Sequence, residues 1–172
     1  MQRSTLTFAG GRRNIATVPN ALRIAGFSAL LLALLAATPG RAAQPLPPPG
    51  PRERCPVCGM FVAPHPTWVA ALRRADGAIE YFDGPKDLFR RMFAAPESGR
   101  RGEPFVTDYY RTEPIAARGA WFAVGGDVLG PMGRDLVPFA TESEARGFLK
   151  DHGGTRVVPF TGVTPDLLRA LE

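Results

Sequence analysis

From Thr67 to Phe160 the chain runs twice through one order of hydrophobic patterns, and this repeat limits the folds open to it more than any other feature. Trp68 to Leu72 has the composition of a strand, Asp76-Gly77 is a hairpin turn, and Ile79-Glu80-Tyr81-Phe82 is the returning strand. A helix follows. Asp83 or Gly84 can cap it, Pro85 suits its first turn, Leu88, Phe89, Met92 and Phe93 recur along one face, and Pro96 stops it. A polar loop, Glu97 to Glu103 with Arg100 and Arg101, leads to the next strand, Phe105 to Tyr110. In the second round Ala120 to Val124 is a strand, a glycine-rich connection from Gly125 to Gly133 replaces the tight turn, and Leu136 to Phe139 returns. Thr141-Glu142-Ser143-Glu144 is a capping box opening a helix through Ala145, Phe148 and Leu149, which Gly153-Gly154 closes before the strand Arg156 to Phe160. Thr164-Pro165-Asp166 starts a short terminal helix.

The pattern predicts an α+β fold of two related ββαβ units, about residues 55–118 and 119–172. Neither unit is large enough to cover both faces of its own sheet, so the two are expected to pack together, with a site formed by the loops between them.

What precedes the repeat bears on destination. Ile24 to Ala37 is an apolar run of 14 residues, with Arg3, Arg12, Arg13 and Arg23 before it and Thr38-Pro39-Gly40 after it. Spanning a bilayer takes roughly 20 residues, so residues 1–42 read as a secretory signal peptide cleaved after Ala42, with a retained anchor as the alternative. Five of the 21 basic residues and none of the 16 acidic ones precede Ala43, so processing leaves 16 of each. The formal charge of +5 belongs to the leader, which removes the argument for a nucleic-acid partner. Residues 43–54 carry prolines at 45, 47, 48, 49 and 51 and are expected to form an extended, solvated spacer.

Soft donors cluster just past that spacer. Cys55-Pro56-Val57-Cys58-Gly59-Met60 places both cysteines of the chain and a methionine within six positions, and thiolates with a thioether suit Cu(I). Other uses of the pair are a disulfide, expected of an exported C-x-x-C that no metal protects, and structural zinc, for which four ligands are not apparent. A thioredoxin-type redox centre would need the pair at a helix N-terminus; here a strand follows it. Met132 in Gly130-Pro131-Met132-Gly133 lacks a periodic reason for burial, and is either a core plug or a distant thioether ligand. His65, between Pro64 and Pro66, is either an exposed loop residue or an imidazole donor, and His152 reads as a helix-end cation. Asp76, Asp83, Asp87 and Asp108 fall at turns, caps and strand edges, with no carboxylate pair marked as a site.

CPVCGMFV, the DG hairpin, FDGPKDLF, VTDYY, GPMGRDLVPF and the helix ending HGG resemble, in order, the NosL family of exported copper chaperones associated with nitrous oxide reductase maturation. The resemblance implies a periplasmic Cu(I) chaperone, not an enzyme, of two similar ββαβ units. Its copper would go to the copper-sulfide centre of nitrous oxide reductase by way of a membrane-bound maturation complex. By position it implies Cys58, Met60 and Met132 as metal ligands, with Cys55 and His65 as further candidates and a monomer or weak dimer as the assembly. Many relatives carry a lipid-anchoring cysteine at the cleavage site, and none lies near Ala43. The runner-up function is a periplasmic thiol-disulfide reductase supporting copper-site assembly.

Overall fold

The structure is a computed structural model that describes residues 45–95 and 102–172. The expected signal peptide, Pro96 as the helix stop, and Arg100 and Arg101 lie outside the described residues. No helix among the described residues is long and apolar enough to cross a membrane.

The double ββαβ order is present. The first unit holds β1 (Ala70–Arg73), β2 (Ile79–Phe82), α1 (Pro85–Ala94) and β3 (Glu103–Thr107), extended by β4 (Pro114–Ala116). The second holds β5 (Trp121–Val124), β6 (Leu136–Phe139), α2 (Glu142–His152) and β7 (Arg156–Pro159), followed by α3 (Pro165–Arg169). All pairings are antiparallel, in the orders β2-β1-β3-β4 and β6-β5-β7. The β1–β2 hairpin turns at Asp76-Gly77, where Gly77 takes φ 87° and the Asp76 carboxylate accepts from Ala78 N at 3.0 Å.

Strand alternation explains how the units share a core. On the second sheet Phe122, Val124 and Leu136 point to a cluster with Phe82, Leu88, Phe89 and Val106 of the first unit, while Ala123, Val137 and Phe139 point to Ala145 and Phe148 of α2. Phe89 of α1 meets Phe122 edge-to-face at 5.3 Å and Phe160 at 5.2 Å. Burying such aromatics is worth about 2–3 kcal/mol each, and here it is gained only by joining the units. Pro138 sits on β6, an edge strand, where the missing N–H breaks no ladder, and its carbonyl accepts from Tyr109 N at 2.9 Å.

Three local expectations are corrected or completed. The third strand ends at Thr107, not Tyr110, because buried Asp108 folds the chain: its carboxylate accepts from Tyr110 N, Arg111 N and, across the unit boundary, Ala140 N at 2.7 Å. Strand β4, unmarked in the sequence, returns after a turn with Thr112 at φ 57°. Of the two caps the sequence allows for α1, Gly84 is the one used. The proline-rich stretch, exposed along most of its described length, is nonetheless tied to the domain and is not a free spacer. Leu46 packs on the core, and the carbonyls of Pro45 and Pro47 accept from Arg73 and from the Tyr81 hydroxyl at 2.7 Å. Prolines leave their carbonyls free, and β1 and β2 supply donors to them. The Thr141 cap forms as expected, accepting from Glu144 N at 3.3 Å.

Candidate metal centre

The cysteine segment is a closed knuckle. Cys55 N donates to Met60 O and Gly59 N to Cys55 O, both at 2.9 Å, while Arg54 and Phe61 bridge at its base. Gly59, at φ 81°, takes the left-handed conformation that lets the loop close, and Arg54 ties Gly59 O down at 2.8 Å. The local hydrogen bonding fixes both sulfurs on the inner side of the loop, facing the start of α1.

There they meet two carboxylates. Cys55 Sγ donates to Asp87 Oδ2 at 3.3 Å and Cys58 Sγ to Asp83 Oδ1 at 3.2 Å, and one donor atom from each of these four residues lies within 4.8 Å of all the others. Cys55, Asp83 and Asp87 are buried, and Cys58 is half-buried. Both cysteines are thiols. Burial pushes the Cys55 thiol up to about 11, with the Asp83 side chain adding to the rise. The Cys58 thiol is pushed up further, first by burial and then by side-chain hydrogen bonds to Asp83, Cys55 and Asp87. The site therefore stores its sulfurs protonated, and a bound cation must displace those protons. Arg90 buttresses the far oxygen of Asp87 at 2.9 Å and is itself held by Glu172 at 2.8 Å.

The remaining candidates divide. Met60 and His65 line an open cleft of about 430 Å³ together with Cys58, Arg54, Phe61 and Pro64, so three of the five predicted donors share one opening. Met132 does not line that cleft. It is half-exposed at the tip of a turn closed by reciprocal hydrogen bonds between Gly130 and Gly133, and so is not the core plug the sequence left open. Its carbonyl accepts from Lys86 Nζ at 3.2 Å, which attaches the turn to the first turn of α1, next to Asp87.

A family model, NosL, matches residues 48–168. The chain belongs to the NosL family. Among solved structures it is similar to the copper chaperone NosL from Shewanella denitrificans, with 25% sequence identity, a TM-score of 0.60, and coverage of 70% of this chain and 99% of that one. No curated protein sequence matches significantly. Set on this NosL fold, Asp83 and Asp87 are the site residues that sequence reasoning missed. Asp87 lies in the first turn of α1 and Asp83 just before its extended Gly84 N-cap, so no helical period joins them, and the only signal was two acidic residues flanking Gly84-Pro85.

Proposed function

We propose that this protein is a periplasmic copper chaperone that binds one Cu(I) at the knuckle and passes it to a copper enzyme. The observation that carries the reading is the pair of thiols held on the Asp83 and Asp87 carboxylates beside the Met60–His65 cleft. Sulfur is the preferred donor for Cu(I), and carboxylate oxygen is not. Cys58 is accordingly the central ligand, with Met60 and Met132 as thioether donors and Cys55 and His65 as further ones, while the two aspartates receive the thiol hydrogens. Few, soft and partly accessible donors let the ion leave by ligand exchange when an acceptor supplies its own. The copper-sulfide centre of nitrous oxide reductase, reached through a membrane-bound maturation complex, is the acceptor we favour. The signal-peptide pattern of residues 1–42 supports a periplasmic setting.

The reductase reading is disfavoured by the same geometry. Thiol exchange needs an available thiolate, and here burial and the two carboxylates hold both thiols protonated even though they face the start of α1. Anaerobic Cu(I) titration against a chromophoric chelator tests the proposal. One-to-one binding that Cys58→Ser abolishes is the expected result, and a Cys58→Ser variant that competes as well as the parent refutes it.

A further inference from the structure

Lys86 is an unusual residue to find buried: its side chain is 4% exposed at the first turn of a helix, where a lysine ordinarily reaches solvent. A buried ammonium is retained only when its hydrogen bonds are met. Both of those described go to the loop of the second unit, with Lys86 Nζ donating to Met132 O at 3.2 Å and to Arg134 O at 2.6 Å. The backbone adds a further tie, since Lys86 N donates to Asp135 Oδ1 at 2.7 Å, and the same oxygen accepts from Leu136 N at 2.7 Å. The turn so held is stiff. Gly130 and Gly133 exchange two hydrogen bonds, of 2.7 and 3.0 Å, and Gly130 is packed so closely on Trp68 and Asp135 that a β-carbon there would lie 3.4 and 3.1 Å from them.

We propose that Lys86 is a positioning residue for copper binding: through the Met132 and Arg134 carbonyls it holds the Met132 turn at a fixed place relative to the cysteine knuckle. The same short segment that presents Asp83 and Asp87 to the thiols thereby holds the methionine turn, so one element sets the separation of the two lips of the site. This rests on Met132 being a ligand, as proposed above.

A double-mutant cycle tests it on the reduced, copper-free protein, with Cu(I) affinity measured by chelator competition and the sulfur shell by X-ray absorption. Lys86→Leu keeps an apolar side chain, removes the donors and adds no sulfur. Outer-shell changes of this kind typically weaken metal binding by about tenfold or more, and Lys86→Leu and Met132→Leu are each expected to do so. The double variant should be no weaker than Met132→Leu alone, and both single variants should lose the same sulfur scatterer. Losses that multiply, or a full sulfur shell in Lys86→Leu, would reduce Lys86 to a structural staple and overturn the proposal. Lys86→Gln retains a donor for one carbonyl and guards against misfolding of the first variant. A partial loss that vanishes in the Met132→Leu background supports positioning, and a loss that persists there overturns it. If Met132→Leu binds as the parent does while Cys58→Ser does not bind, Met132 ligation itself fails and takes this proposal with it. If Met132→Leu is weakened and Lys86→Leu is not, only the positioning role fails.

Discussion

Asp135→Asn should abolish the pH dependence of stability that one buried carboxyl contributes. Asp135 is 5% exposed just before β6, and burial raises its carboxyl from 3.8 to about 7, against the lowering effect of hydrogen bonds from Leu136 N and Lys86 N and of the Lys86 charge. The folded state thus holds this proton more tightly than the unfolded chain does. Its contribution is fully present below about pH 4 and is lost as pH rises through about 7, with a limiting slope of about 1.4 kcal/mol per pH unit and a total of about 4 kcal/mol. Asparagine cannot ionise, keeps an acceptor for both backbone amides and fits the same volume, including the tight approach of Oδ2 to Gly84, where an added β-carbon would lie 2.1 Å away. Urea unfolding of the reduced, copper-free protein across this range is the assay. The variant should gain on the parent steadily as pH rises. Subtracting the two curves removes groups such as Glu80, whose lowered carboxyl, set by Arg91 and Arg74 against burial, acts in the opposite sense and at lower pH. A parent-minus-variant difference that is flat across pH 4 to 7, or that favours the parent more at higher pH, would refute the reasoning.

Two other expectations concern the thiols and the unit boundary. Because both cysteines are held protonated, apparent Cu(I) affinity should rise about a hundredfold per pH unit near neutrality if Cys55 and Cys58 both bind, and about tenfold if only Cys58 does. Calorimetry in buffers of different ionisation enthalpy counts the protons, and release of none would contradict thiolate binding. Asp108→Ala strips the buried acceptor from three backbone amides on both sides of the boundary and should cost about 3–5 kcal/mol in chemical denaturation; a loss under about 1 kcal/mol would show that water replaces the carboxylate.

The order of strands and helices was legible because it is written in local signals: the short apolar runs of β1 and β5, the Asp76-Gly77 turn, the Thr141 cap, and the apolar stripe of Leu88, Phe89 and Met92. The cysteine knuckle was legible for a similar reason, since its donors lie within six positions and Gly59 supplies the turn. Where signals were short or shared, the reading slipped. Three-residue β4 is too brief for a period to register, and nothing local reveals that Arg73 and Tyr81 would donate to the carbonyls of the proline stretch and hold it on the domain.

By itself, then, the sequence determined the two ββαβ units and which sulfurs could bind a soft metal. Only the tertiary structure decided what surrounds those sulfurs. Asp83 and Asp87 become partners of Cys58 and Cys55 because a loop 25 and 32 residues away folds back over the start of α1. Lys86 becomes buried because the loop of the other unit, 46 residues on, closes over it. A carboxylate or an ammonium at a helix start has the same local signature whether it faces water or a thiol, and the difference is made by which distant backbone excludes the water.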